Sequence, residues 1–188
     1  MSGTIRAFFS FDIENQAVIR RLTQVQGRLL RSGADLKSVK PQNIHLTIRF
    51  LGDISPAMVD AIYEEMKQLS FSPFTIELDG LGAFPKLTYP RVVWAGIRQG
   101  ADDLRNVFGQ LEPRLRGLGF KPDNKGFSPH LTIARVRTGR NKAELVKLIQ
   151  ELENYEFGAV KADCLRLKKS NLTPRGPIYS TLREVCSN

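Results

Sequence analysis

The chain has 188 residues, of which 41% are hydrophobic and 25% are charged, and this composition excludes a disordered or low-complexity protein. Its net charge of +9 favours a polyanionic partner such as a nucleic acid, because a positive surface stabilises nearby phosphates. The sequence has no signal-peptide pattern and no run of about 18 apolar residues, the length that a membrane helix needs. We therefore expect a cytoplasmic protein without a membrane span, and nothing demands more than a monomer.

The two cysteines lack the spacing of a metal or redox motif. Cys164 and Cys186 form no CxxC pair and have no histidine-rich surroundings. We expect free thiols in a reducing compartment and predict no disulfide.

Hydrophobic periodicity predicts a β-α-β-α-β order in the first half of the chain. The predicted elements are a strand over 5–11, a helix over 13–29 with Asp12 as its N-cap, a strand over 44–51, a helix that starts at Ser55-Pro56, and a strand over 74–78.

The second half predicts the same order. Its elements are a strand over 91–97, a helix over 104–118, a strand over 130–136, a helix opened by a capping box at Asn141 to Glu144, a strand over 157–167 and a closing strand over 178–185. We predict one α+β domain over 1–188 that is bilobal, with pseudo-symmetric lobes at about 1–84 and 91–188 and the crossing at 80–90. The sheets are expected to be mainly antiparallel and to face a central cleft, with the helices outside.

The strongest signal is a repeated tetrapeptide. His-Leu-Thr-Ile begins at His45 and again at His130, in equivalent predicted strands, and these are the only two histidines in the chain. A single histidine on a strand is most often a packed or surface residue. Two histidines at the same position of one repeated motif favour a shared function instead.

Strand alternation indicates which side chains act together. His45 and Thr47 point to one face and their apolar neighbours to the other, and the same holds for His130 and Thr132. A pseudo-dyad would bring the two sets together around one point. In-line substitution at phosphorus needs a general base and, on the opposite side, a general acid, and two imidazoles meet that need near neutral pH. The threonine hydroxyls would donate to the nonbridging oxygens.

Other chemistries find little support in the sequence. Catalytic zinc needs at least three protein ligands, and no Asp, Glu or Cys shares the spacing of the two histidines. A GxSxG elbow, a Walker loop and a GxGxxG loop are all missing. We predict no metal and no organic cofactor.

The sequence resembles the two-histidine (2H) phosphoesterases, which carry two H-Φ-[ST]-Φ motifs on a bilobal fold. It is most similar to their RNA 2′,3′-cyclic phosphodiesterase branch, formerly called 2′-5′ RNA ligases. The matching stretches are RAFF at 6–9, IHLTIRFLG at 44–52, VWAG at 93–96, PHLTIAR at 129–135 and LKKSNLTPRGPIY at 167–179.

The resemblance implies an enzyme that opens RNA 2′,3′-cyclic phosphates, such as those at tRNA-derived ends, to 2′-phosphates. In vitro, that branch also joins RNA ends reversibly through a 2′,5′ linkage. The resemblance assigns catalysis to His45 and His130 and phosphate binding to Thr47 and Thr132. It further implies that Phe50 and Arg135, each five residues after a motif histidine, reach the base or phosphate of the substrate.

Simple alternation conflicts with the last two assignments, because it places Phe50 and Arg135 on the opposite face from the histidines. They need a bulge or a strand end to turn toward the cleft. Phe50 could otherwise be a core aromatic residue, and Phe127 could stack on a base or pack internally. We assign the remaining nearby cations to a basic surface without chemistry, namely Lys168, Lys169 and Arg175.

Three questions stay open at this level. We take His45 as the proton donor and His130 as the proton acceptor, although near-identical motifs allow the reverse. The substrate could instead be a 2′,5′-linked oligonucleotide or a cyclic phosphate of ADP-ribose, as in other members of the wider family. The chain could also be a non-catalytic RNA-binding protein that uses a phosphate pocket for docking.

Overall fold

The structure is a computed structural model that describes residues 3–187, so the first two residues and the last one of the predicted 1–188 domain lie outside it. Within these residues the chain forms nine strands and four α-helices. In chain order they are β1 (Ile5–Asp12), α1 (Gln16–Leu30), β2 (Leu36–Ser38), a 3₁₀ turn (Pro41–Asn43), β3 (His45–Ile54), α2 (Pro56–Met66), β4 (Phe74–Lys86), β5 (Tyr89–Gln99), α3 (Ala101–Gly117), β6 (Leu131–Val136), α4 (Lys142–Glu151), β7 (Glu156–Ala162), β8 (Cys164–Thr173) and β9 (Gly176–Cys186).

The strands form two sheets in which every described pairing is antiparallel, which confirms the predicted α+β class. The first sheet has the order β3-β1-β8-β9, and the second has the order β2-β6-β5-β4-β7. Each sheet therefore takes strands from both half-repeats of the sequence. In the first sheet, β8 and β9 of the second half join β1 and β3 of the first half. In the second sheet, β2 and β4 of the first half join β5, β6 and β7 of the second half.

The two motif strands occupy equivalent places. β3 pairs with β1 in the first sheet as β6 pairs with β5 in the second, and β3 and β6 also lie against each other. One face of each sheet is apolar and packs under the helices. In β1 the buried residues of that face are Ala7, Phe9 and Phe11. The other face of each sheet carries the polar motif side chains and is called the site face below.

The helices pack in a way that ties the two halves together. α1, from the first half, contacts β6 and β7 of the second sheet through a stripe that includes Leu22, Val25 and Leu29. α3, from the second half, contacts β3 as well as β5. The two sheets consequently share one apolar core.

Several local expectations were wrong. The predicted single strand over 157–167 is two strands in different sheets, and the predicted crossing over 80–90 is part of a long hairpin of β4 and β5. Asp12 ends β1, and the N-cap of α1 is Asn15, whose Oδ1 accepts the N–H of Ala17 and of Val18 at 3.0 and 3.3 Å. Asn141 does not cap α4 with its side chain, which instead donates to the carbonyl of Ser32.

The prediction of two free thiols was also wrong. Cys164 begins β8 and Cys186 ends β9, and the register of this strand pair places them opposite each other with their Cα atoms 3.9 Å apart. They form a disulfide that closes a sequence separation of 22 residues. Cysteine spacing alone did not reveal it, because their proximity depends on the pairing of two strands.

None of the helices in residues 3–187 is both long enough and apolar enough to cross a membrane.

Candidate active site

A β-bulge follows each motif histidine at the same position. In β3, Thr47 pairs with Ser10 of β1 and Arg49 pairs with Phe9, so Ile48 is the extra residue. In β6, Thr132 pairs with Trp94 of β5 and Ala134 pairs with Val93, so Ile133 is the extra residue. Each bulge reverses the alternation of the side chains that follow it.

The bulges place Phe50 and Arg135 on the site face. Phe50 pairs with Phe8, which lies on the same face of β1 as the residues opposite His45 and Thr47. Phe50 is 58% exposed and its ring lies 5.8 Å from that of Phe8, so it is not a core aromatic residue. Arg135 reaches the same face of the second sheet as Thr132 through the second bulge.

The two histidine rings are held in the same way. Nδ1 of His45 lies 2.6 Å from the carbonyl oxygen of Asn43, and Nδ1 of His130 lies 2.7 Å from that of Ser128. A carbonyl oxygen only accepts, so each Nδ1 carries a proton and donates it. This fixes the neutral tautomer and leaves Nε2 as the nitrogen that exchanges a proton.

His45, with its neighbours on the first sheet, forms the first half-site. Its ring lies 5.0 Å from Phe8 and 5.0 Å, edge-on, from Tyr179. Nε2 is 2.9 Å from Oγ1 of Thr47. Burial lowers the pKa of His45, while the bond to the Asn43 carbonyl and the charge of Asp12 act in the opposite direction.

His130, with its neighbours on the second sheet, forms the second half-site. Phe84 lies edge-on at 4.8 Å and Trp94 at 6.4 Å between ring centroids. Gly82 of β4 leaves room for the indole of Trp94, because a Cβ added at residue 82 would lie 2.1 Å from the indole ring. Burial lowers the pKa of His130, and the positive charge of Arg135 lowers it further.

Arg135 connects the two half-sites. Its charge acts on the pKa of His130 and also on that of Tyr179, whose ring touches His45. Tyr179 is half-buried, and desolvation raises the pKa of its hydroxyl. The strands of the two half-sites also contact each other, since β3 lies against β6.

The bulged strands are anchored from behind by two residues that the sequence analysis did not single out. Arg49, on the opposite face from Phe50, donates to the Phe50 carbonyl at 2.7 Å and forms a buried ion pair with Glu112 of α3. In the second sheet, the buried amide of Gln26 donates to the carbonyl of Ile133, the bulge residue, at 2.8 Å. Neither anchor has a sequence signal, because each pairs with a residue far along the chain.

Three further residues differ from simple expectations. Phe127 stacks on Phe108 of α3 at 5.0 Å, which is internal packing. Lys168 was assigned to the basic surface, and this was wrong: its side chain is only 11% exposed, and Nζ binds the Asp12 carboxylate at 2.7 Å. Asp12 itself went unrecognised because it was interpreted as a helix cap.

In the described part of the chain, one group of three residues of metal-ligating types lies close together, at Cys164, Glu184 and Cys186. Both sulfur atoms are in the disulfide and are not thiolates. The cluster does not include either histidine.

The arrangement is suited to acid-base chemistry. Each half-site carries an imidazole whose Nδ1 is fixed by a backbone carbonyl and a threonine of the same motif, and Arg135 shares the site face of the second sheet with Thr132. This set provides a proton acceptor, a proton donor and hydrogen-bond donors for a phosphoryl group.

Comparison with known proteins identifies the family. The family model of the LigT-like phosphoesterases matches residues 13–94 and 96–179. The RNA 2′,3′-cyclic phosphodiesterase of Aeropyrum pernix is 42% identical over 168 residues, covering 89% of this chain and 96% of its own. The protein of the same name from Archaeoglobus fulgidus is 35% identical over 179 residues, covering 95% and 98%.

Solved structures agree on the fold. TT0787 of Thermus thermophilus superposes with a TM-score of 0.78 at 25% identity, over 97% of both chains. LigT of E. coli complexed with 3′-AMP superposes with a TM-score of 0.78 at 21% identity, over 99% of both chains. The chain belongs to the LigT-like phosphoesterase family, which confirms the resemblance inferred from its sequence.

Proposed function

We propose that this chain hydrolyses the 2′,3′-cyclic phosphate ends of RNA to 2′-phosphates, with His45 and His130 as the acid-base pair. The observation that carries the proposal is the duplicated histidine geometry, in which both Nδ1 atoms donate to backbone carbonyls and Nε2 is the ring nitrogen that can exchange a proton. Nε2 of His45 also contacts Oγ1 of Thr47, one of the proposed phosphate-binding residues. The names of the archaeal relatives supply the substrate class.

In the proposed reaction, water attacks the phosphorus in line with the bond to the 3′ oxygen. Nε2 of His130 takes a proton from the water as its oxygen bonds to phosphorus. Nε2 of His45 gives a proton to the departing 3′ oxygen, and the 2′ ester remains. Thr47 and Thr132 donate to the nonbridging oxygens, and Arg135 offsets the charge that develops on them.

The reaction as proposed needs neither a metal ion nor a nucleotide cofactor. Proton transfer is assigned to the imidazoles and charge stabilisation to the hydroxyls and the guanidinium, so no step is left for a Lewis acid. The scheme extends to ligation, in which a 5′-hydroxyl replaces water and each histidine keeps its role. By microscopic reversibility the histidines exchange roles in the reverse reaction, in which the 3′-hydroxyl attacks the 2′,5′-linked phosphate and the 5′ oxygen departs.

The direct test is product analysis with a defined RNA that ends in a 2′,3′-cyclic phosphate, in the presence of a chelator and without nucleoside triphosphates. We expect a 2′-phosphate product. His45→Ala and His130→Ala should each lower kcat by about 10²–10⁴-fold. Arg105→Ala, on the outer surface of α3, is the matched control and should retain full activity.

A metal requirement, a 3′-phosphate product or full activity in either histidine variant would contradict the proposal. A panel that includes 2′,5′-linked oligonucleotides and an ADP-ribose cyclic phosphate would identify a different substrate. Salt-sensitive RNA binding without turnover, unchanged in both histidine variants, would indicate a docking protein instead.

The pH dependence of kcat/KM provides a second test. One histidine must be protonated and the other neutral, so the profile should be bell-shaped. Burial lowers the pKa of both His45 and His130 from 6.5, so the optimum should lie below pH 6.5. Activity should fall above it as the donor loses its proton and below it as the acceptor gains one.

A further inference from the structure

The first half-site contains a row of charged side chains next to His45. The register of β1 and β3 places Asp12 directly opposite His45. The Asp12 carboxylate accepts from Nζ of Lys168 at 2.7 Å and from Oγ of Ser10 at 3.1 Å, and it lies 3.3 Å from Arg166. A carboxylate with three partners is held in one orientation beside the imidazole.

The register of the second sheet places different residues at the corresponding positions. The last pair of β5 and β6 is Ala95 with Leu131, so the next residues, Gly96 and His130, lie beside each other. Gly96 has no side chain that could interact with the imidazole. Phe84 takes the position that Lys168 has in the first sheet. Lys168 lies two strands from Phe50 in the row that runs through Phe8, and Phe84 lies two strands from Arg135 in the row that runs through Val92. Trp94 takes the position of the serine. Arg135 is the one charged residue that shifts the pKa of His130.

The charged and titratable groups facing His45 come from three strands. Asp12 on β1 raises the pKa of His45, and Lys168 on β8 lowers it. Tyr179 on β9 touches the ring as a neutral phenol, because burial raises its own pKa. Arg166 acts through the carboxylate that it binds.

We propose that Asp12 and Lys168 are positioning residues that set the charge of His45 and make it the proton donor, a device that His130 lacks. The imidazole of a general acid must carry a proton before the reaction, and burial opposes that charge. Asp12 stabilises the imidazolium. Lys168 fixes the orientation of Asp12 and limits its effect, so the proton remains available for transfer.

The proposal rests on the proposed function only for the assignment of the donor. Its physical core can be measured without turnover, because the chain has only two histidines. NMR titration of the full chain with ¹⁵N-labelled histidine gives one curve for each ring, and the His130→Ala variant assigns them.

Asp12→Asn should lower the pKa of His45 and leave that of His130 unchanged. At the wild-type midpoint, the protonated fraction of His45 should fall by about twofold or more. Lys168→Met should shift the His45 curve in the opposite direction. In the cyclic phosphate assay the pH optimum should move down in the first variant and up in the second, which lost packing alone does not produce.

Asp79→Asn is the matched control. Asp79 is 22% exposed and pairs with Arg98 on β5, whereas Asp12 is 20% exposed and pairs with Lys168. Asp79 pairs across the strand with Gly96 in the second sheet and contributes nothing to the pKa of His130. The control should leave both titration curves and the pH optimum in place.

An unchanged His45 curve in folded Asp12→Asn would overturn the proposal, as would a downward shift in Lys168→Met. If Asp12→Asn does not fold, the Lys168→Met titration decides alone, since an unchanged or lowered His45 pKa there refutes it. Failure of the proposed function can be distinguished from failure of this proposal. In the first case the wild-type chain would not open the cyclic phosphate, but both variants would still shift the titration curve of His45.

Discussion

The two half-sites share a backbone device and differ in the side chains around it. Each has a histidine whose Nδ1 donates to a carbonyl two residues earlier, followed by a bulge three residues after the histidine. Two aromatic rings contact each imidazole, but only His45 also lies beside an ion pair, that of Asp12 with Lys168. The duplicated motif thus fixes both imidazoles in the same way, and in our proposal the residues around them distinguish the donor from the acceptor.

The anchors behind the bulges repeat this difference. The first is an ion pair between Arg49 and Glu112, and the second is the neutral amide of Gln26. Glu112 also accepts the backbone N–H of Asp123 at 3.2 Å, and Arg49 donates to the Lys121 carbonyl at 2.7 Å. The loop that leads to His130 is thus fastened to the strand that carries His45.

The largest expected effect separates the roles of the two histidines. A cyclic substrate with sulfur in place of the 3′ oxygen has a leaving group that needs little protonation. His45→Ala should recover most of its loss of about 10²–10⁴-fold on this substrate, and His130→Ala should not. Comparison of kcat on the two substrates measures this.

Thr47→Val is the control, because a residue that binds the nonbridging oxygens should affect both substrates equally. Recovery in His130→Ala instead would reverse the assignment of donor and acceptor.

The next effect concerns the ionic anchor. Arg49 and Glu112 are 12% and 10% exposed, so Glu112→Gln leaves a buried guanidinium without its carboxylate. We expect a loss of about 3–5 kcal/mol in the free energy of unfolding, measured by urea denaturation. Asp102→Asn breaks the exposed pair with Arg105 and should cost at most about 1 kcal/mol.

Gln26→Leu tests the neutral anchor of the second half-site in the same assay. It should cost about 1–3 kcal/mol, less than Glu112→Gln, because no charge is left unpaired. Equal losses would show that the two anchors do not differ in kind.

The disulfide stabilises the first sheet, and the described residues contain no other. Cys186→Ser should lower the free energy of unfolding by about 3 kcal/mol, since the unfolded chain is no longer constrained by a closed loop. Urea denaturation of wild type with reductant should reproduce the loss, and reductant should have no further effect on the variant. An identical midpoint for reduced and oxidised wild type would contradict this.

The smallest effects concern the two residues that the bulges turn to the site face. Phe50→Ala should raise KM by about 5–100-fold through lost base stacking. Arg135→Met should raise it by a similar factor through lost phosphate contact. Only Arg135→Met should reduce the slope of the logarithm of the RNA-binding constant against the logarithm of salt concentration, by about one. A reduced slope in Phe50→Ala would show that the aromatic residue does not act by stacking.

Local pattern was enough to predict the α+β class, the helices and the placement of both His-Leu-Thr-Ile motifs at equivalent strands. It also showed that Phe50 and Arg135 require a bulge. It missed whatever depends on the register of distant strands, including the disulfide and the pairing of Asp12 with Lys168, which are 156 residues apart. A lysine usually lies on the surface, and no local signal marks one that is buried against a carboxylate.

The exchange of strands between the half-repeats has a consequence for the order of folding. β1 lies between β3, which follows it closely in sequence, and β8, which begins at Cys164, far along the chain. During translation β1 therefore has one unpaired edge until β8 has been made. Closing such long-range contacts is slow, so we expect the first half-site to be completed after the core of the second sheet has formed.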